Sequence, residues 1–282
     1  MSSLTGLAMS EPNAIPRFRL LPDRRRLAAA RRKVERDLCQ AVQRHEFVLH
    51  FQPRYCLASG LVAGMEAVVR WPNRRQASGA LVPVAEQAGS NALLDDWMLN
   101  EACRAAAAWP AGEVVVSVKV SPRPVARLAE GHGLLEQVAC ALDRSGLAAD
   151  RLELRLAESA LLESSLDTLL MLSALRDLGV SLALDGFGTG CASLSLLKRL
   201  PLTAMKLDRT LVQDVPQQRD DAAIVRAAID TAHALGLAVV ADGVELEEQR
   251  AFLAGIGCDE GQGSLLGQKL SPEQACAVLH ER

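Results

Sequence analysis

Short apolar runs alternate with longer amphipathic stretches along most of the chain. The runs have the length of strands, and the stretches between them repeat apolar positions every three or four residues, which is typical of helices. Several of the predicted helices end at a glycine, which accepts the left-handed conformation found at helix ends. The predicted strands are Phe47–Phe51, Leu61–Val69, Val114–Val120, Leu152–Leu156, Ser181–Leu184, Ala204–Leu207, Ala238–Ala241 and Glu260–Gly263. The predicted helices are Leu93–Trp109, Leu134–Ser145, Leu161–Leu178, Ile224–Leu235 and Glu247–Ile256.

This alternation predicts an α/β protein with a (β/α)8 barrel of the TIM type. Only the turn around Ser59 and Gly60 separates the first two strands, and such hairpin spacing predicts that one of them is antiparallel. Residues 1–28 lack a sustained apolar period, so we expect a flexible basic lead-in there and a barrel domain over residues 29–282.

Composition narrows the classes of protein. With 49% hydrophobic and only 3% aromatic residues, the core must consist largely of Leu, Val and Ala. A net charge of -3 gives no general reason to expect nucleic acid as a partner. The seven cysteines show no CxxC spacing, which favours a reducing cytoplasm over a disulfide framework or a zinc site. No apolar stretch approaches the length of a membrane span.

The charge is unevenly distributed, because nine Arg and Lys residues lie between Arg17 and Arg36. This basic segment is a candidate surface for contact with a regulatory protein. The plainer interpretation is the solvated face of a leading helix and its linker.

Polar residues gather at the predicted strand ends, where barrel enzymes carry their chemistry. Some of them fall within apolar strands, where a charge needs a partner. The alternative is that they are ordinary charges on exposed loops. The residues are Glu66, Arg70, Lys119, Arg155, Asp185, Lys206, Asp208, Asp242, Glu245 and Gln262.

Several ordered motifs over residues 35–282 resemble the EAL domain, the bacterial cyclic di-GMP phosphodiesterase family. The order of these motifs makes chance agreement implausible. They are Leu49–Pro53, Glu66–Trp71, Pro83–Glu86, Asp185–Gly190 with Ser193–Leu194, Leu200–Pro201, Lys206–Asp208, Ala241–Glu245 and Gln262–Gly263.

The resemblance implies a chemistry based on two divalent cations held by carboxylate and amide oxygens. Glu66 and Asp185 stand at metal-ligand positions, and Lys206 also matches the family pattern. Asp242 stands where the family has a glutamate near the attacking water.

Three ligand positions depart from the family pattern. Lys119 replaces an asparagine, Arg155 a glutamate and Gly186 an aspartate. Lysine and arginine donate hydrogen bonds but do not accept them, so neither can ligate a cation. We therefore predict a degenerate phosphodiesterase with no catalytic residues and no Mg or Mn site, in which Glu66, Asp185, Lys206 and Asp242 are remnants.

Relative to the family pattern, the three replacements add four units of positive charge, which equals the charge of two divalent ions. One hypothesis is that Lys119 and Arg155 stand in for the cations and leave a pocket for the anionic dinucleotide. The alternative is that they neutralise the carboxylates in a closed salt-bridge network that binds nothing. The resemblance makes cyclic di-GMP a candidate ligand of Gln52, Arg70, Ser121, Asp208, Glu245 and Gln262.

We therefore expect a non-catalytic signalling regulator that acts through protein–protein interaction as a metal-independent cyclic di-GMP receptor. The alternative is a regulator of the anti-activator type that no longer binds the nucleotide, and an active phosphodiesterase is the least favoured reading. Ser264, where the family usually has an aromatic residue, weakens the receptor interpretation. The resemblance also allows a homodimer through the loop Gly186–Gly190 and its continuation.

Overall fold

The computed structural model describes residues 36–72, 91–110, 112, 114–120, 133–161, 166–190 and 194–280. All eight predicted strands are present, and they close into a barrel in chain order, as predicted. The observed bounds differ from the predicted ones by a few residues at most, except that the first strand is longer. The strands are β1 (Val48–Cys56), β2 (Val62–Arg70), β3 (Val115–Val120), β4 (Leu152–Ala157), β5 (Ser181–Phe187), β6 (Ala204–Leu207), β7 (Ala238–Asp242) and β8 (Glu260–Gln262).

The predicted antiparallel strand is β1, which runs antiparallel to both β2 and β8. The other neighbouring strands are parallel. Beyond the β1–β8 ladder, Phe51 exchanges two backbone hydrogen bonds of 2.8 Å with Leu270. Because β1 joins β2 through a turn, no helix follows β1 to cover its outer face.

Helices cover the outside of the barrel. The predicted helices are all found, but the pattern did not predict α9 or the three shortest helices. The three shortest have four to six residues, and segments this short give little periodicity. Residues 36–43 are also helical. The helices are α1 (Asn91–Ala107), α2 (Leu134–Ser145), α3 (Glu158–Leu161), α4 (Leu166–Asp177), α5 (Leu194–Arg199), α6 (Arg209–Val212), α7 (Arg219–Ala234), α8 (Glu247–Gly255) and α9 (Pro272–His280).

The core has two parts, as the strand pattern requires. Outward-facing side chains such as Met65 and Leu154 pack beneath the helices and are fully buried, in a core rich in Leu and Val. The barrel interior instead holds buried polar side chains, among them Arg54, Glu153 and Lys206. Such burial requires paired charges, so the interior is where a site is expected.

The predicted lead-in, residues 1–28, lies outside the described residues, as does Ser121. Within the described part of the chain, no helix is both long enough and apolar enough to cross a membrane.

Candidate functional site

Seven polar side chains from seven consecutive strands form a charged cluster at the carboxyl ends of the parallel strands. The strand pattern alone predicted that polar residues gather at the strand ends, and this prediction is confirmed for these seven residues. The charged cluster consists of Glu66 on β2, Lys119 on β3, Arg155 on β4, Asp185 on β5, Lys206 on β6, Asp242 on β7 and Gln262 on β8.

Arg155 lies at the centre of the charged cluster and is only 4% exposed. Its Nη2 donates to Glu66 Oε1 at 2.8 Å, and its Nη1 lies 3.4 Å from Asp185 Oδ1. The planar guanidinium therefore bridges Glu66 and Asp185. These are the two carboxylates that the resemblance to the EAL domain places at metal-ligand positions. A fork of donors suits this geometry better than a single ammonium would.

Lys206 makes the second bridge. Its Nζ donates to Glu66 Oε2 at 2.7 Å and to Gln262 Oε1 at 3.0 Å. Asp242 Oδ2 lies 3.1 Å from the same nitrogen. A lysine ammonium has three donors, and these three partners match them. Glu66 is thus held on one oxygen by Arg155 and on the other by Lys206.

Lys119 differs from the other two cations because its side chain is 34% exposed, against 5% for Arg155 and 4% for Lys206. Its Nζ lies 3.4 Å from Asp185 Oδ2. Asp185 therefore pairs with both Lys119 and Arg155, as the salt-bridge alternative requires. Lys119 is the cation at the solvent edge of the charged cluster.

The charged cluster sets the ionisation of its carboxylates. Burial would raise the pKa of Glu66, but Arg155 and Lys206 outweigh it and hold the pKa far below the ordinary value. Burial likewise opposes ionisation of Asp185, and Arg155, Lys206 and Lys119 keep its pKa lowered. Both carboxylates are therefore ionised at neutral pH.

Gly186 adopts a backbone conformation with φ +78°, in the left-handed region that favours glycine. A Cβ at this position would have as its nearest neighbour the Thr189 hydroxyl oxygen, 3.6 Å away. A side chain would therefore fit in space, and the local constraint is the backbone conformation. Aspartate tolerates this region better than most residues.

The remaining predicted ligand residues lie at different places. Gln52 Nε2 lies 3.4 Å from the carbonyl oxygen of Gly267, and Arg70 ends β2 in a partly buried position. Asp208 instead caps α6 by accepting from Thr210 N at 2.9 Å. Glu245 is exposed and pairs with Arg209 at 3.2 Å. The contacts of Asp208 and Glu245 therefore lie outside the charged cluster.

A second polar layer, which the sequence did not predict, lies deeper in the barrel. Arg54 Nη1 donates to Glu153 Oε1 at 2.6 Å, and Ser117 donates to the same oxygen at 2.8 Å. Arg54 Nε also lies 3.1 Å from Glu260 Oε2. A Cβ at Gly64 would lie 2.7 Å from Arg54 Nη2, so glycine makes room for this arginine.

The alternation of side chains between the two faces of a strand is the sequence signal that could have revealed this deeper layer. Arg54 lies two residues after Gln52, and Glu153 two residues before Arg155, so each pair points to the same face of its strand. Each polar pair within an apolar strand indicates two stacked layers inside the barrel.

Two carboxylates of the deeper layer, Glu260 and Glu153, should affect stability in different ways. Burial raises the pKa of Glu260, and repulsion from Glu153 adds to the effect although Arg54 opposes it. Its contribution to stability is therefore present below the ordinary glutamate pKa and lost as pH rises through its folded value. We expect Glu260→Gln to leave the free energy of unfolding at pH 7 unchanged or higher, as measured by urea denaturation.

The pKa of Glu153 shifts in the opposite direction to that of Glu260. Burial disfavours its charge, but Arg54 and Ser117 lower its pKa, so its contribution is present above the ordinary value and is lost as pH falls. Glu153→Gln should lower the free energy of unfolding at pH 7 by about 3 kcal/mol, since it removes one partner of a buried ion pair. Equal losses in the two variants would contradict this assignment.

The residues of the charged cluster do not fit a divalent metal. Arg155 and Lys206 occupy both oxygens of Glu66, and both offer donors where a metal requires lone pairs. Within the described residues, no group of three or more His, Cys, Asp or Glu side chains is arranged to hold a metal ion.

Comparison with known proteins identifies the relatives of this arrangement. Residues 35–269 match the model of the EAL domain. The chain is 37% identical over 249 residues to the bifunctional diguanylate cyclase/cyclic di-GMP phosphodiesterase MucR of Pseudomonas aeruginosa, covering 86% of this chain and 36% of that protein. It is 41% identical over 244 residues to the cyclic di-GMP phosphodiesterase NbdA of the same organism, covering 84% of this chain and 31% of that protein. The chain thus spans about a third of the length of these curated relatives.

The fold matches a solved structure as well. The structure described as PaMucR Phosphodiesterase, c-di-GMP complex superposes with a TM-score of 0.79 at 35% identity, covering 86% of this chain and 99% of that one. The EAL domain of Mycobacterium smegmatis DcpA superposes with a TM-score of 0.70 at 33% identity, covering 83% and 98%.

Proposed function

The chain belongs to the EAL domain family, and we propose that it acts in cyclic di-GMP signalling as a non-catalytic member that needs no divalent metal. The observation that carries the proposal is the Arg155 guanidinium between Glu66 and Asp185, at 2.8 and 3.4 Å. Two carboxylates that could otherwise hold a metal are committed to a buried cation. A second cation, Lys206, binds the other oxygen of Glu66.

Loss of the metal removes the means of activating water. A metal-bound water loses its proton near neutral pH, whereas free water does not. In the charged cluster, both Glu66 and Asp185 are ionised and engaged with cations. Neither carboxylate is therefore free to act as a general base in place of a metal-bound hydroxide. The site supports binding better than hydrolysis.

The same charges support binding of a phosphodiester. Arg155 and Lys206 are nearly inaccessible, whereas the side chain of Lys119 reaches the solvent edge. We assign Lys119 as the group that receives the phosphate. Gln52, Arg70 and Gln262, together with the predicted Ser121, complete the proposed nucleotide contacts. The relative whose structure is described as a c-di-GMP complex makes this dinucleotide the ligand to test first.

Calorimetry with cyclic di-GMP in EDTA tests the proposal. We expect micromolar or tighter binding that does not change when Mg²⁺ replaces EDTA. Lys119→Asn should weaken binding roughly tenfold, since a charge-assisted hydrogen bond to phosphate contributes about 1.5 kcal/mol. Lys198→Asn, at an exposed position on α5, is the matched control and should bind normally. Binding that requires Mg²⁺, or release of the linear dinucleotide by the purified protein, would overturn the proposal.

A second candidate is a regulator that binds a protein and no longer binds the nucleotide. The closed pairing of Glu66, Asp185 and Asp242 with three cations favours it, because this network is electrostatically complete without a ligand. A folded protein that gives no calorimetric signal with cyclic di-GMP would support this candidate. Both candidates act through a regulatory protein, so a pull-down with and without cyclic di-GMP separates them by whether the captured partner changes.

A further inference from the structure

An apolar groove of about 720 Å³ lies on the outside of the barrel, away from the charged cluster. Its floor is the outer face of β1 and the residue just before it, with Phe47, Leu49 and Phe51. One wall is α1 and the turn after it, including Trp97 and Trp109, and the other is α9, including Cys276. We call this feature the β1 groove.

The topology explains why the β1 groove exists. In a barrel of alternating strands and helices, the helix after each strand covers its neighbours. The β1–β2 hairpin has no such helix, so α1 and α9 border the outer face of β1 from either side. The volume of the β1 groove falls within the range of pockets that bury a small ligand, which is enough for a few large side chains.

Aromatic residues are concentrated here although the chain has few of them. Phe51 packs edge-on against Trp109 at 5.2 Å, and Phe47 lies 5.7 Å from Trp97. The floor is closely packed, since Phe47, Leu49 and Phe51 are at most 5% exposed, and the walls offer partly exposed apolar side chains such as Trp97 and Cys276. Three of the lining residues carry a full charge, and Glu101 and Arg104 on α1 pair with each other, so Glu273 on α9 gives the lining its excess negative charge. The β1 groove thus suits a segment that combines large apolar side chains with positive charges.

We propose that the β1 groove is bound by the part of this same chain that precedes Arg36, through Phe18, Leu20 and Leu21. These are apolar residues set among arginines, with Arg17 and Arg19 on either side of Phe18. The arginines complement Glu273 on α9. The basic segment then has an intramolecular role that does not depend on nucleotide binding.

The length of the chain permits this contact. The described chain begins at Arg36 with eight helical residues, which span about 12 Å, and only residues 44–46 separate them from the floor at Phe47. Residues 22–35 can extend over roughly 45 Å. This length is more than Leu21 needs to reach the β1 groove from the start of the helix at Arg36. The effective concentration of such a tethered segment is on the order of millimolar, so even weak contacts would keep it bound.

Cross-linking of the full chain tests the proposal. Leu20→Cys provides one thiol, and the native, partly exposed Cys276 in the wall provides the other. A bismaleimide with a short spacer should join them within one chain, as identified by peptide mass spectrometry, and Cys276→Ser should abolish the link. Cys140, exposed on α2, is the internal control and should link far less.

Two results would overturn the proposal. Links from Leu20→Cys that favour Cys140 over Cys276 would show that the segment samples the surface by exposure alone. Links to Cys276 that join isotopically light and heavy chains, in a mixture of the two, would assign the β1 groove to a second copy of the protein.

Discussion

Mn²⁺ should stabilise the triple variant Lys119→Asn, Arg155→Glu and Gly186→Asp, whereas it should leave the unmodified chain unchanged. The substitutions remove the two cations that engage Asp185 and add two carboxylates to the site. Without metal, the clustered negative charges should lower the free energy of unfolding by several kcal/mol. At a hundredfold excess over its dissociation constant, Mn²⁺ should increase the free energy of unfolding of the triple variant by about 2.7 kcal/mol. This increase raises the midpoint of thermal unfolding by roughly 5–10 °C.

The control for the triple variant is Lys119→Asn, Arg155→Gln and Gly186→Asn, which removes the same cations but adds no carboxylate. Its response to Mn²⁺ should be much smaller. A Cβ at position 186 would have its nearest neighbour 3.6 Å away, so neither substitution creates a clash at that atom. If Mn²⁺ stabilised the unmodified chain as much as the triple variant, the charged cluster would not exclude metal and the proposed function would fail.

The barrel could be predicted from the sequence because its strands repeat one simple pattern. Runs such as Leu152–Leu156 and Ala204–Leu207 have the length of strands and recur between amphipathic stretches of helical length, so their type follows from this alternation. The hairpin spacing at Ser59 and Gly60 predicted the antiparallel β1. Helix α9 was not predicted because Pro272 and the polar residues after it resemble a chain end more than an amphipathic helix.

The charged cluster could be predicted only in part, for a geometric reason. That Lys119, Arg155 and Asp185 meet follows from barrel closure, since the carboxyl ends of parallel strands converge. Which cation lies between which carboxylates depends on side-chain length and register, and a sequence pattern does not fix them. Arg155 reaches Glu66 across β3, and Lys206 reaches it from the opposite side of the barrel. The deeper layer around Arg54 was not predicted, because the pairing of Arg54 with Glu153 joins strands that are 99 residues apart in sequence.

Arg155→Met should be the most destabilising single substitution in the charged cluster. It keeps much of the side-chain volume but removes the cation between Glu66 and Asp185, both of which are largely buried. Removal of one partner from a buried ion pair costs about 3–5 kcal/mol, because the charges left behind have lost their water as well as their partner. Lys206 retains its contact to Glu66, but the only remaining ion pair of Asp185 among the described residues is with the partly exposed Lys119, at 3.4 Å. Urea denaturation at pH 7 measures the loss.

The pH dependence of that loss separates a charge effect from a packing effect. In the unmodified chain the lowered pKa values of Glu66 and Asp185 give stability that is present above the ordinary carboxylate values and is lost as pH falls through the folded ones. In Arg155→Met these carboxylates lack their cation and take up protons more readily, so acid relieves their repulsion. The difference between variant and unmodified chain should therefore narrow as pH falls below about 5. A difference that stayed constant down to the acid transition would indicate lost packing, and Arg155 would then hold the barrel by its bulk rather than by its charge.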